Sequence, residues 1–199
     1  PFIALKTNRK GGIRAITLDE EDHLINVIRT NGNDNIILAT REGMAICFNE
    51  QDVRPMGRDA GGVKGITLTD GDYVIGAEKA EVGKTLLTVT ENGFGKRTEL
   101  TEYLRTGPDG EKCPQSRGGK GLKNYNITPK TGKVAGCRVV GENDDVMLIE
   151  NGGVIIRIPA ASINVYKRDV QGVIVMRIEE GNQVVSVERI DKVDGETAE

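Results

Sequence analysis

The residues best suited to chemistry in this sequence are lysines and arginines that recur in successive loops. They stand at Lys6, Arg9 and Lys10; at Arg54, Arg58 and Lys64; at Arg105, Lys112, Arg117, Lys120 and Lys123; and at Lys167 and Arg168. Ammonium and guanidinium groups bind phosphate through charge-assisted hydrogen bonds. One basic loop is usually only solvated surface, but recurrence at four comparable places favours a binding surface for a polyanion.

The densest of these loops is the segment Gln115–Gly121, with the sequence Gln-Ser-Arg-Gly-Gly-Lys-Gly. Its glycines would let backbone N–H groups approach phosphate oxygens beside the two cations. The chain lacks the GxxxxGK[ST] string of a nucleotide-binding loop, so a nucleotide site is disfavoured. The predicted DNA-binding residues are Arg9, Lys10, Arg54, Arg58, Lys64, Arg117, Gly118, Gly119, Lys120, Gly121, Lys167 and Arg168.

Catalytic and metal-binding constellations are poor. The single histidine, His23, follows four consecutive acids and is tied to no nucleophile by a motif. Cys47, Cys113 and Cys137 are scattered and lack zinc-ligand spacing, which predicts reduced packing cysteines. We therefore predict no catalytic residues, no metal and no cofactor in this chain.

Composition indicates a folded protein whose charge is unevenly distributed. The 199 residues are 37% hydrophobic and only 4% aromatic, with 26 glycines that favour many tight turns. No apolar run is long enough to span a membrane, which predicts a cytoplasmic protein without a membrane partner. The net charge of -3 hides an acidic end, because seven acids and two bases follow residue 178. Local charge decides binding more than this total does.

An internal repeat positions the basic loops. A short apolar run follows each of Gly12, Gly62, Gly121 and Gly172, so the unit is about fifty residues long. A second apolar run then follows in each unit, and a hairpin follows in the first three, with predicted type I′ turns at Glu42-Gly43, Asn92-Gly93 and Asn151-Gly152. Four strands per unit predict an all-β, propeller-like fold with three full units and a partial one. Equivalent loops of such a fold would form one basic rim.

These residues also resemble a known family. The segment Gln115–Gly121 is similar to the Gln-Arg-Gly-Gly-Lys-Gly box of the C-terminal domain of DNA gyrase A, except for the additional Ser116. Residues 52–66 and 171–174 are similar to segments between the blades of that domain. The resemblance covers nearly the whole chain. It implies a β-pinwheel whose blades exchange strands, with duplex DNA bent around its basic rim.

The resemblance also sets expectations for partners and boundaries. It implies an A2B2 holoenzyme with gyrase B and the N-terminal part of gyrase A, in the bacterial cytoplasm, where ATP and Mg serve negative supercoiling. This chain would be the non-catalytic wrapping part, holding some blades of a six-blade array. Residues 1–190 are predicted to form the pinwheel, and 191–199 an acidic, disordered tail. The alternatives are the corresponding C-terminal domain of topoisomerase IV and a protein-interaction propeller.

Overall fold

The computed structural model describes residues 5–190, so the predicted tail at 191–199 lies outside the described residues. Thirteen β-strands and short 3-10 turns, joined by loops, are the regular elements among the described residues, which confirms the all-β prediction. The strands are β1 Asn35–Thr40, β2 Met44–Asn49, β3 Val74–Lys79, β4 Thr85–Thr90, β5 Phe94–Glu99, β6 Arg105–Thr106, β7 Lys112–Cys113, β8 Leu122–Lys123, β9 Val134–Val140, β10 Asp145–Glu150, β11 Ile155–Pro159, β12 Val173–Ile174 and β13 Val184–Ile190.

Three hairpins form where they were predicted, but their turn type was predicted wrongly. A type I′ turn needs positive φ at both central residues, whereas only glycines have positive φ among the described residues. In each turn the N–H of a glycine at the fourth position donates to the carbonyl of the first residue: Gly43 to Thr40, Gly93 to Thr90 and Gly153 to Glu150. This is a type I turn closed by a left-handed glycine. In the third hairpin that glycine is Gly153, not the predicted Gly152.

The sheets are assembled from successive repeats. Their strand orders are β3-β1-β2-β8, β9-β4-β5-β12 and β13-β10-β11. Each sheet takes its hairpin from one repeat, one strand from the next repeat and, in the two four-stranded sheets, a short outer strand from the repeat after that. The blade exchange implied by the resemblance is therefore present, and a blade is not a contiguous unit of about fifty residues.

The first apolar run of each repeat is less strand-like than predicted. Only Leu122–Lys123 and Val173–Ile174 pair as strands, while residues 13–18 and 63–68 form none. The second apolar run of the first repeat, residues 24–27, forms no strand either. The short strands pair for two residues with the outer edges of β2 and β5. After those two residues, two successive N–H groups of each run donate to one hairpin-turn carbonyl, Asn124 and Tyr125 to Gly43, and Val175 and Met176 to Gly93, so the regular ladder ends there.

The inner strands β3, β9 and β13 pack together on the side opposite the loops. Glycines allow this close approach, because a Cβ at Gly136 would lie 2.8 Å from a methyl carbon of Val187. Buried aliphatic and aromatic side chains, including Leu86, Leu87 and Tyr103, fill the space between sheets. A fourth, shorter hairpin, β6 with β7, lies between β5 and β8.

Candidate nucleic-acid interface

Two of the predicted basic loops lie along the outer edges of sheets. We call residues 53–62, 114–121 and 164–172 the rim loops, and we count each loop with the repeat whose glycine it contains (Gly62, Gly121 or Gly172). The second runs along β2, where the N–H of Gln115 donates to the carbonyl of Cys47 at 2.7 Å, and the third runs along β5, where Tyr166 donates to the carbonyl of Arg97 at 2.8 Å. Corresponding residues of two repeats therefore hold two rim loops in the same place.

The repeat glycines make this approach possible. Gly121 and Gly172 have φ of +73° and +71°, which side-chain-bearing residues rarely adopt. A Cβ at Gly121 would lie 2.4 Å from the carbonyl oxygen of Ala45 in β2, and one at Gly172 would lie 2.3 Å from that of Gly95 in β5. These glycines are required by contact with the sheet.

Each rim loop also contacts the first apolar run of the preceding repeat. The N–H five residues after one repeat glycine donates to the carbonyl two residues before the next: Thr17 to Ala60 at 3.2 Å, Thr67 to Gly119 at 2.8 Å and Asn126 to Val170 at 3.4 Å. We call each of these contacts a junction: 13–18 with 53–62, 63–68 with 114–121, and 122–127 with 164–172. The rim is thus a series of three linked junctions within the described residues.

Three of the predicted cations occupy the same position in their junctions. Each lies four residues before its repeat glycine, and its Nη1 donates to a main-chain carbonyl of the preceding repeat: Arg58 to Arg14 at 3.5 Å, Arg117 to Lys64, and Arg168 to Lys123 at 3.1 Å. Arg117 also donates from Nε to the carbonyl of Asp52 at 3.2 Å. A guanidinium has five N–H donors, so these bonds orient each group and leave other donors.

The remaining predicted cations are exposed at less regular places. Arg54, Lys120 and Lys167 are exposed on the three rim loops, and Arg9 and Lys10 are exposed before Gly12. Lys64 is exposed in the second junction. Their contact with DNA stays a prediction.

The glycines of the box have a role that the sequence analysis did not anticipate. The N–H of Gly118, expected to face a phosphate, donates to the carbonyl of Gly65 at 2.7 Å. The carbonyl of Gly118 accepts from the Thr67 hydroxyl at 2.7 Å. The N–H of Gly118 is therefore engaged within the second junction, and the phosphate contact predicted for Gly118, Gly119 and Gly121 stays a prediction.

One important residue was missed by the sequence analysis. Lys96 in β5 is fully buried, and its Nζ donates to the carbonyls of Lys167 and Arg168 at 2.7 Å each. Its ammonium also lies 5.4 Å from the centre of the Tyr125 ring. Burial lowers the Lys96 pKa to about 8, because desolvation disfavours the charged form. The available sequence signal was a lysine at a position where β2 and β11 carry isoleucine.

Acidic residues follow three of the four first runs. The turns after these runs carry residues 19–22, Asp70 and Asp72, and Glu179 and Glu180, whereas the turn after residues 122–127 carries Lys130. In the second run the acidic turn lies beside a hairpin turn, where Glu42 donates its N–H to Asp72 Oδ1 at 3.0 Å. Three of the runs therefore lead from the basic rim to an acidic turn.

Part of the acidic terminal stretch is folded into the third sheet. Glu188 lies in β13, and its Oε1 is 3.0 Å from Nη2 of Arg138. This ion pair holds Glu188 at the inner strands. The rest of that acidic stretch, residues 191–199, lies outside the described residues.

Other potential sites have ordinary structural roles. Burial raises the pKa of Cys47 and Cys137 to about 11, as expected for packing thiols. Within residues 5–190 no group of three or more His, Cys, Asp or Glu side chains is arranged to hold a metal ion. The same residues contain no helix long and apolar enough to cross a bilayer.

Comparison with known proteins adds to this geometry. A family model described as the DNA gyrase C-terminal domain, a β-propeller, matches residues 4–31, 34–81, 84–112, 114–141 and 144–191. The DNA gyrase A protein of Clostridium acetobutylicum is 46% identical over 194 residues, which cover 98% of this chain and 22% of that protein. The chain therefore spans about a fifth of the length of the curated relatives that it matches.

Two solved structures share the fold. A DNA gyrase A C-terminal domain superposes with a TM-score of 0.77 at 26% identity, covering 92% of this chain and 59% of that one. The C-terminal domain of a DNA topoisomerase IV superposes with a TM-score of 0.84 at 25% identity, covering 94% and 56%.

Proposed function

This chain belongs to the DNA gyrase C-terminal domain family, and from that premise we propose that it binds duplex DNA and bends it around the rim loops. The single observation that carries the proposal is the recurrence of one contact at three junctions. Arg58, Arg117 and Arg168 are oriented alike by three corresponding carbonyls. Such repetition suits a polymer with a repeating charge.

The proposed mechanism is electrostatic. Each phosphate that a cation neutralises releases condensed counterions, so binding depends steeply on salt and little on base sequence. Bending 20 to 30 base pairs costs on the order of 1–6 kcal/mol, so several contacts along the rim must offset that cost. The acidic turns that follow three of the runs would repel the DNA backbone and favour the rim.

This role requires no chemistry from the chain itself. We propose that it is the non-catalytic, DNA-wrapping part of a gyrase that acts in the cytoplasm as an A2B2 holoenzyme. Gyrase B and the N-terminal part of gyrase A would supply ATP hydrolysis, Mg and strand passage. Tyr73, Tyr103, Tyr125 and Tyr166 have no proposed part in DNA cleavage.

A second candidate is the corresponding domain of topoisomerase IV, which is favoured by the close superposition on that fold. The box at Gln115–Gly121 supports gyrase instead. The two predict different outcomes in the whole enzyme. A gyrase should introduce negative supercoils into relaxed plasmid with ATP, whereas a topoisomerase IV should support decatenation alone.

The proposed function is tested by the affinity of this chain for a linear duplex of about 40 base pairs, measured between about 50 and 200 mM salt. The double variant R117Q/K120Q should weaken binding equally for unrelated sequences. The slope of log affinity against log salt should fall by about 0.9 for each phosphate that is no longer neutralised.

A matched control removes the same charge away from the rim. Lys130 and Arg177 are exposed near the hairpin turn of β4 and β5, and K130Q/R177Q should retain the wild-type affinity and slope. A shallow salt slope in the wild-type chain, or equal losses of affinity in both double variants, would refute DNA binding by the rim.

A further inference from the structure

Two basic positions recur at fixed distances from the repeat glycines. All residues of the first position were predicted to bind DNA, but only one residue of the second position was. The first position, four residues before the glycine, holds Arg58, Arg117 and Arg168. The second, two residues after it, holds Arg14, Lys64 and Lys123. The other predicted rim cations, Arg54, Lys120 and Lys167, occupy no shared position. The recurrence therefore singles out two places per repeat.

The junctions bring these two positions together from different repeats. Arg168 of one repeat donates from Nη1 to the carbonyl of Lys123 in the preceding repeat, and the same bond joins Arg58 to Arg14 and Arg117 to Lys64. The carbonyl that orients each arginine thus belongs to the second basic residue. Three pairs of cations, separated by 44 to 53 residues in sequence, become neighbours.

The third junction shows the environment of such a pair. Lys123 is exposed, and its Nζ lies 2.9 Å from the amide oxygen of Asn126. Arg168 is partly buried, and its carbonyl accepts a hydrogen bond from Nζ of the buried Lys96. Both cations are therefore anchored by neutral groups.

Two cations at residues whose arginine and main chain are in contact repel each other, and an anion shared between them would remove that repulsion. An arginine oriented by main-chain carbonyls presents its remaining donors in a fixed plane, which suits the oxygens of a phosphate diester. A lysine beside it adds a point charge with mobile donors. This combination favours a phosphate over a single carboxylate partner, because a phosphate offers oxygens to both groups.

Resting on the proposed DNA-binding function, we propose that each junction is one phosphate site shared by two cations of successive repeats. Arg14 and Lys123 then bind DNA together with Arg58 and Arg168, and Lys64 acts with Arg117. The three sites follow the rim in series. The DNA path accordingly crosses the junctions between repeats.

The test compares two double variants that remove the same charge. K123Q/R168Q empties one junction, whereas R58Q/K123Q leaves one cation at each of two junctions. With shared sites, K123Q/R168Q should lower the salt slope by about 0.9 and lose more affinity than the two single variants combined. R58Q/K123Q should keep the wild-type slope and lose only the product of its single effects. The same duplex and salt series serve both.

The variant R168K controls for the possibility that a substitution at Arg168 loosens the third rim loop. It keeps the positive charge but changes the hydrogen bond that orients the side chain. R168K should keep the wild-type salt slope, and its thermal unfolding reports any structural loss. A slope that falls by about 1.8 in both double variants would show that every cation has its own phosphate, and would overturn the shared site. An unchanged slope in K123Q/R168Q would overturn it as well. Either result leaves the proposed function standing if wild-type binding is steeply salt-dependent.

Discussion

The buried lysine of β5 gives a pH-dependent stability that a single substitution should remove. Lys96 donates three hydrogen bonds, two of them to carbonyls of the third rim loop and one to the Thr98 hydroxyl at 3.2 Å. The corresponding residues of β2 and β11 are Ile46 and Ile156. Lys96→Met therefore places an apolar side chain of similar length where other repeats already carry one.

The magnitude follows from the lowered pKa of Lys96. Desolvation lowers it from 10.5 to about 8, although nearby Asp169 opposes that shift. At about 1.4 kcal/mol per pKa unit, the charged form is disfavoured in the folded state by about 3 kcal/mol. The full penalty applies below pH 8, where both states are protonated. Between about pH 8 and 10.5 the unfolded chain binds the extra proton, so stability rises with pH from this group.

The assay is urea unfolding of wild type and K96M at a series of pH values from about 7 to 10.5. Buried thiols and phenols, whose pKa values are raised, oppose the rise in both proteins: Cys47, Cys137, Tyr103 and Tyr125. The difference in unfolding free energy between wild type and K96M isolates Lys96. That difference should move in favour of wild type by up to about 3 kcal/mol over this range.

At neutral pH, K96M should be about as stable as wild type, because removal of a buried charge offsets the missing hydrogen bonds. Its third rim loop should exchange amide hydrogens faster, since the carbonyls of Lys167 and Arg168 lose their donor. Lys130→Met, which removes an exposed lysine, controls for the loss of a side chain. A pH-independent difference between wild type and K96M would refute the argument.

Two further outcomes concern packing. Gly121→Ala should destabilise the fold by about 3 kcal/mol or more in urea unfolding, because its φ is positive and a Cβ would lie 2.4 Å from a backbone oxygen. The control Gly110→Ala, where φ is positive but no atom lies near the Cβ, should cost only about 1–2 kcal/mol. Equal costs for the two variants would contradict the close approach of Gly121 to the sheet. A thiol reagent near pH 8 should modify the partly exposed Cys113 well before Cys47 and Cys137, whose raised pKa values and burial protect them; equal rates by mass spectrometry would argue against this packing.

Several features of the fold could be predicted from sequence because they depend on neighbours a few residues apart. The hairpins of β1–β2, β4–β5 and β10–β11 were located by apolar runs around glycine turns. Their turn type was missed, since Asn92-Gly93 alone does not show which residue takes positive φ. The repeat glycines Gly121 and Gly172 were found as repeat markers, and the structure adds the backbone contact that requires them.

The cations of the rim were also visible in the sequence, because exposed lysines and arginines in glycine-rich loops stand out by composition alone. Their recurrence predicted one basic surface. The recurrence did not distinguish Arg58, Arg117 and Arg168 from cations such as Lys120. The loops differ in length, so the shared distance of the three arginines from their repeat glycines is not obvious in the sequence. That shared distance becomes clear once the loops are superposed on their repeat glycines.

Strand partners and the pairing of cations were decided only by the tertiary structure. β8 pairs with β2 of a repeat two units earlier, and similar sequences in every repeat cannot specify which copy a strand joins. The position of Lys96 beneath the third rim loop, and of Lys123 beside Arg168, follows from that exchange. Local patterns determine which segments extend and turn, whereas contacts between residues 44 to 72 positions apart depend on how all the sheets pack together.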